Sequence, residues 1–425
     1  MNDLTFRVYA VKTKLTKVIM KQRIISMLVG LTMMTGASAQ RTELIGRGGA
    51  PIYLSDSLKV DSMYNYWNDF VSQHPKDDIA WRNLFEICYN QEFKLRSKNW
   101  KEGVYYFEKN TLPLIERIKK AIPGSYTAYY CEYEGTRSST NDRRELIADS
   151  AIALLPKNAP AGDYDLWMQY LIPKRDTVRM TNILTQYYES GQYPEESLQY
   201  HFNELQGMDE GGVYIGAHEG DIIGKMILQY VLGVHKDKIL YYENAAMIPE
   251  LIKDVFEHIG IPFSDEVWNQ LHSTWQEEQL LAFMRYIFDH SKRPVYMSAH
   301  NMWKVILGEG LPDELKACFY NEGLTMRYST KPYDNRAVKR RNIEKRYRLE
   351  YLRMPFHPEI KNTQRFSCSA DVYAMNYVRL LHDQLPYYKK YNRERYQWLY
   401  DIFTDIIERL DKESYDVDEF KGYLK

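Results

Sequence analysis

The chain of 425 residues lacks the motifs that announce common chemistries. It has no G-x-S-x-G elbow, no G-x-G-x-x-G fingerprint, no H-E-x-x-H helix and no EF-hand loop, which removes the sequence support for those four classes of site. Gly224-Lys225 only grazes a phosphate loop: Glu219 stands where its first glycine belongs and Met226 where its hydroxyl belongs, which excludes nucleotide binding by that route. Cysteine is scarce. Cys88, Cys131, Cys318 and Cys368 include no C-x-x-C pair, and four cysteines allow three pairings that spacing alone does not separate. Cys88 with Cys131 is the preferred pairing because both fall in the first helical region; buried free thiols are the alternative. Charge of one sign is also missing, with 56 Lys and Arg against 57 Asp and Glu, so nothing draws the chain generally toward nucleic acid or an anionic membrane.

No apolar run reaches the roughly 20 residues that span a bilayer. The longest, from Ile24 to about Met34, follows Met20, Lys21 and Arg23 and precedes Ala37-Ser38-Ala39. A basic start, a short apolar core and a small-x-small site are the parts of a cleavable signal peptide. Residues 1–39 therefore read as a leader, with Met20 as the true start and the signal at 20–39. Removing its six basic residues and one acid turns a chain of formal charge −1 mildly acidic. Localisation is expected to be periplasmic or otherwise exported, with no integral membrane segment after cleavage.

What is abundant is tyrosine, 37 in all, with pairs such as Tyr105-Tyr106, Tyr129-Tyr130 and Tyr387-Tyr388. Its ring buries apolar area while its hydroxyl keeps a polar partner, which suits helix packing first and sugar surfaces second. From Ser57 to Met208 apolar residues recur at three- and four-residue steps, as in Tyr64, Trp67, Phe70 and Val71, and Pro or Gly punctuates the segments at Pro75, Pro123-Gly124, Pro156, Pro173 and Gly191. HPKDDIAWRNL and ALLPKNAP resemble tetratricopeptide-type helix pairs, without the strict period of a regular array.

After Gly211-Gly212 the pattern changes. Val213-Tyr214-Ile215, Lys238 to Tyr242, Pro294 to Met297 and Leu324 to Tyr328 read as strands separated by helices, which predicts βαβ units. The expected fold is an α-rich α/β protein: a helical hairpin, degenerate tetratricopeptide-like scaffold flanking a small mainly parallel sheet of about four strands. The expected domains are 40–210 helical, 211–330 α/β and 331–425 helical.

The most site-like segment is Gly216-Ala217-His218-Glu219-Gly220-Asp221, at the carboxyl end of the first strand, where open α/β sheets bind ligands. His218, Glu219 and Asp221 form the candidate ligand-binding set; whether they hold a metal is left open. A helix cap is the competing and favoured reading of the two acids. His258, His272, His290 and His300 show no metal-ligand spacing. The basic stretch Arg336, Lys339, Arg340, Arg341, Lys345, Arg346 and Arg348 spreads over several faces of a helix, which favours a solvated helix, with an anionic envelope glycan or an acidic protein face as the functional alternative.

VYIGAHEGDIIGKMILQYVLGVHKDKILYYENAAM resembles a segment of a family of Gram-negative envelope proteins: a strand, a GDND-type acidic loop, a helix ending in Y-L-Q, then G-V-R-x-D. Glu219 and Asp221 match the two acids, Leu228-Gln229 the L-Q, and Gly233-Val234 with Asp237 the G-V-x-x-D. RPVYMS and NEGLTMRY resemble the family's later strands, and KRYRLEYL has a similar place downstream. In that family the soluble region carries tetratricopeptide-like helices and often follows a multi-spanning part that looks like an O-mannosyltransferase; this chain lacks that part, so the resemblance implies no sugar transfer.

These readings together describe an exported periplasmic interaction or scaffold protein without catalysis. The alternative is an enzyme or binding protein acting on envelope glycans or peptides through the His218 to Asp221 loop. An envelope protein is the expected partner and a glycan the second; neither a cofactor nor nucleic acid is expected.

Overall fold

The computed structural model describes residues 57–98, 111–136, 142–216, 219–242, 249–272, 276–298, 313–353, 370–412 and 417–422. The leader at 20–39, His218, His300 and Cys368 lie outside these described residues. The chain divides into two compact units, one covering the described residues up to Trp167 and the other those from Met168 onward.

The first unit is helical. It contains α1 (Ser57–Gln73), α2 (Asp78–Lys98), α3 (Thr111–Ala121), α4 (Tyr126–Gly135), α5 (Asp142–Ala153) and the first turns of α6 (Ala161–Leu171). Stops and caps explain the boundaries. Pro75 follows α1, and Gly124 turns at φ +70 after α3. Ser125 then caps α4 by accepting the Ala128 amide at 3.1 Å. Helix α4 is buried along almost its whole length, and Phe85, Tyr130 and Trp167 fill the centre with edge-to-face contacts. Cys88 and Cys131 are buried free thiols, so the preferred disulfide is not formed.

A charge is buried within this aromatic core. Arg82 reaches Asp163 at 2.8 Å and Glu86 at 2.9 Å. Tyr126 donates to Asp163 at 2.7 Å and Tyr130 to Glu86 at 3.1 Å. The guanidinium also lies over the Tyr130 ring.

The second unit opens with α7 (Thr177–Glu189) and α8 (Glu195–Gly207). There follow β1 (Val213–Gly216), α9 (Glu219–Met226) with a wider π turn at Ile227–Val231, and β2 (Ile239–Tyr242). Helices α10 (Pro249–Ile259), α11 (Asp265–Leu271) and α12 (Gln276–His290) lead to β3 (Val295–Ser298). Next come α13 (Asp313–Lys316), β4 (Phe319–Asn321), β5 (Thr325–Tyr328) and α14 (Asn335–Arg341). The chain closes with α15 (Ala370–Tyr391), α16 (Arg393–Lys412) and α17 (Asp418–Lys421).

The sheet has five strands in the order β2-β1-β3-β5-β4, against the expected four. β1 runs parallel to β2 and β3, whereas β5 is antiparallel to β3 and to β4, so the sheet is mixed rather than mainly parallel. The reversal comes from the β4–β5 hairpin, where Gly323 sits at φ +126 and a Cβ would stand 2.5 Å from the Tyr347 hydroxyl; only glycine accepts that backbone at that closeness.

The β1-β2-β3 part is doubly wound: the crossover from β1 out to β2 carries α9 on one face, and the return from β2 past β1 to β3 carries α10 with α12 on the other. Val213, Ile215, Val295 and Met297 make the second face apolar against Ile252, Phe256, Phe283 and Ile287. On the first face Tyr214, Tyr296, Arg327 and Tyr320 stand in register across four strands. This tyrosine and arginine row is the floor on which the polar groups of the second unit assemble.

Candidate functional site

Two polar assemblies stand on that row. The first forms around Asp221. Glu219 is the first residue of α9 and Asp221 the third, one turn before Lys225. Asp221 is 3% exposed and turns inward, where Oδ1 accepts the Tyr214 hydroxyl at 2.7 Å. Its other partner is the Lys225 ammonium, which lies 3.1 Å from Oδ1 and 2.7 Å from the Asp221 carbonyl oxygen. From α8, Glu204 Oε2 approaches the same ammonium at 2.7 Å and His201 Nδ1 at 2.9 Å.

His201 Nδ1 lies 3.0 Å from Glu204, and its Nε2 lies 3.2 Å from the hydroxyl of Tyr373 on α15, which is also 3.3 Å from the Gly220 carbonyl. Gly224 permits this approach of α8 and α9, since a Cβ there would stand 2.2 Å from both the His201 ring and the Tyr193 hydroxyl.

His201, Glu204 and Asp221 have the composition of a metal site, with one ligand atom from each within 4.8 Å of the others. In this fold the cation at their centre is the Lys225 ammonium, which also lies 4.1 Å from the Tyr214 ring centroid. Its separations of 2.7 to 3.1 Å are hydrogen-bond lengths. Burial, then the neighbouring ammonium, pushes His201 below its ordinary range, so the ring is neutral and can accept at one nitrogen while donating at the other. Burial together with Asp221 and Glu204 pushes Tyr214 well up, holding it as a phenol that donates. The assembly joins β1, α8, α9 and α15 through charges that are closed to solvent. Of the candidate set read from the sequence, Asp221 is thus an internal ion-pair member, Glu219 contributes the start of α9, and His218 lies outside the described residues.

The second assembly lies around Asp209, in the turn between α8 and β1, and it is half-exposed. Arg327 Nη1 reaches Asp209 Oδ2 at 2.9 Å and stands 3.7 Å from Glu322 Oε1. Arg341 and Arg346 both lie 3.6 Å from Asp209 Oδ1, beyond hydrogen-bond reach. The Asp209 amide donates to the Tyr296 hydroxyl at 3.2 Å, and its carbonyl accepts Lys238 Nζ at 2.8 Å. Glu322 Oε1 accepts a hydrogen bond from the Tyr333 hydroxyl at 2.6 Å, and its Oε2 is buried without a hydrogen-bond partner among the described residues.

Burial pushes the Glu322 carboxyl up, against the opposing pull of Tyr333 and Arg327. Burial pulls Arg327 the other way, but Tyr296, Glu322 and Asp209 outweigh it and hold the guanidinium above its ordinary value. Three guanidiniums therefore face at most two carboxylates, one of which resists ionising.

The basic stretch seen in the sequence is mostly engaged within the fold. Lys339 pairs with Asp383 at 2.6 Å, Arg340 with Asp334 at 3.8 Å, and Arg341 and Arg346 with Asp209; Arg348 lies over the Phe202 ring. Sequence reading did not find His201, Glu204, Lys225, Asp209, Glu322 or Arg327 as site residues. The one local signal was the i, i+4 pair Asp221 and Lys225, which a helix places on one face. Comparison with protein-family models, with curated proteins and with solved structures finds no match to this chain.

Proposed function

We propose that the chain is an exported, non-catalytic binding protein of the bacterial envelope. Its helix pairs act as a degenerate tetratricopeptide-like scaffold, and its α/β part recognises an anionic group carried by an envelope glycan or protein. The observation that carries this reading is the convergence of Arg327, Arg341 and Arg346 on the single half-exposed carboxylate of Asp209. Positive charge in excess at a site open to water attracts a further anion, and guanidinium forks match carboxylates in shape as well as sign. Arg341 is 38% exposed and only loosely paired, so its donors are available to such a group.

Calorimetric titration with galacturonate, using galactose as the neutral control, tests the site. Binding is expected for the acid sugar alone. Arg341→Gln should weaken it about tenfold, the scale of one charge-assisted hydrogen bond, while Asp209→Asn should strengthen it by removing the internal competitor. Equal binding of both sugars, or an unchanged Arg341→Gln variant, would refute the reading.

The export half rests on Lys21, Arg23, the apolar run from Ile24 and Ala37-Ser38-Ala39. It predicts a mature product beginning at Gln40 when the full gene is expressed with its own leader; Edman sequencing that finds Met1 or Met20 in the accumulated protein would overturn it. No helix among the described residues is long and apolar enough to cross a membrane.

A further inference from the structure

The turn that joins α15 to α16 carries a surface whose cations, unlike those of α14, have no carboxylate partners among the described residues. Lys389, Lys390 and Arg393 are exposed, and no carboxylate lies within ion-pair distance of any of them among the described residues. Between them stand two exposed rings one helical turn apart: Tyr387 is 38% and Tyr391 62% exposed, with centroids 4.9 Å apart. Lys390 Nζ lies 4.8 Å from the Tyr391 centroid and Arg340 4.4 Å from that of Tyr387. Lys389 lies 5.8 Å from the ring of Tyr396, which stacks on Tyr400. Neither exposed ring belongs to the apolar core of the α15–α16 hairpin, which is filled by residues such as Tyr377, Leu381, Leu399 and Phe403.

Two exposed tyrosines and three cations without carboxylate partners add little to stability, since exposed rings and surface charges contribute little to folding. Flat rings flanked by cations have complementary partners, however. The ring faces stack on apolar C–H faces, and the ammonium and guanidinium groups pair with carboxylates.

Charge density chooses among polyanions. A nucleic acid duplex presents one charge per about 1.7 Å, and the patch includes the exposed acid Glu394 beside Arg393, which opposes so dense a strand. A polymer with one carboxylate per sugar is less densely charged and suits two lysines in the last turn of α15 with Arg393 at the start of α16.

We propose that this surface, formed by Tyr387, Tyr391, Lys389, Lys390 and Arg393, binds an acidic polysaccharide. It is independent of the Asp209 assembly, and neither reading requires the other.

Affinity electrophoresis of the full chain through gels containing polygalacturonate, methyl-esterified polygalacturonate or no polymer is the direct test, with oligo-dT titrated as competitor. Retardation is expected in the charged polymer only. It should fall at least about tenfold for Tyr387→Ser with Tyr391→Ser, and again for Lys389→Gln, Lys390→Gln and Arg393→Gln together, each compared in an Arg341→Gln background so that galacturonate binding at the Asp209 assembly does not contribute. Tyr387, Tyr391, Lys389, Lys390 and Arg393 are exposed, and an unchanged thermal midpoint confirms that each variant is folded. The proposal is overturned if there is no retardation, if the ester retards equally, if the tyrosine variant retains full binding, or if oligo-dT binds more tightly than polygalacturonate.

Discussion

Lys225→Met should be among the most damaging single substitutions in the second unit. Methionine keeps most of the stem's volume, so the change removes charge with little cavity. What remains is the Glu204 and Asp221 carboxylates, both buried and both within reach of the vanished ammonium. Removing one partner of a buried pair costs about 3–5 kcal/mol, because the surviving charge has neither water nor counter-ion. Here two carboxylates survive and repel each other, which places the cost at the upper end.

For a unit of this size that corresponds to a fall in melting temperature of about 10 °C or more. Circular dichroism on heating, or the urea midpoint, reads it directly. Lys225→Met combined with Glu204→Gln and Asp221→Asn should recover much of the loss, since a neutral, hydrogen-bonded cluster carries no desolvated charge. If the single variant melted with the parent, the ammonium would not be the central cation of the cluster. A gain of stability in that variant on adding zinc or manganese would instead assign the vacated centre to a metal.

The predicted site and the observed one share Asp221, and the reason for the difference is physical. The sequence places Asp221 next to a turn at the end of a strand, a position that favours either a cap or a ligand. Which way the carboxylate points is decided by Glu204 and His201 on α8, about one helical turn apart in HFNEL and unremarkable there. Their burial comes from α9 docking closely at Gly224, and a close approach between two helices leaves no local pattern beyond the glycine itself. Lys225 was legible only as the failed end of a phosphate loop, yet its i, i+4 relation to Asp221 was the usable clue.

Strands were more visible than their directions. Val213 to Ile215, Ile239 to Tyr242, Val295 to Met297 and Thr325 to Tyr328 all lie in observed strands, because β-branched and aromatic runs bounded by Gly or Pro fit a pleated, half-buried surface. β4 was missed: Phe319-Tyr320-Asn321 is three residues long, too short for alternation to register. Without β4 the hairpin at Gly323 cannot be inferred, and without the hairpin the last strand appears as one more βαβ unit. The basic stretch failed to declare its partners for a related reason. Asp209 and Asp383 lie far away in sequence, and only the fold brings them beside Arg341, Arg346 and Lys339.

The first unit offers a separate expectation of comparable size. Arg82 is 3% exposed and holds Glu86 and Asp163, which are buried beside it. Burial pulls the guanidinium down, but Asp163, Tyr130 and Glu86 together outweigh it and hold it well above its ordinary value, so the cation is retained at any working pH. Arg82→Leu would leave two carboxylates in an aromatic core, with the Tyr126 hydroxyl donating to Asp163 and the Tyr130 hydroxyl to Glu86. The cost is about 3–5 kcal/mol, plus the ring contact with Tyr130, worth about 1–2 kcal/mol where it is desolvated.

Lysine is expected to rescue only in part. It restores the charge, but a single ammonium lacks the planar fork that bonds Asp163 through two nitrogens, at 2.8 and 3.3 Å, and Glu86 through a third. Fluorescence of Trp167, whose indole donates to Tyr126 at 3.1 Å, follows this core in urea. The ordering parent above Arg82→Lys above Arg82→Leu supports a charge and geometry role together. Equal midpoints for Arg82→Lys and the parent would reduce the role to charge alone, and equal midpoints for all three would remove Arg82 from the forces that hold the helices together.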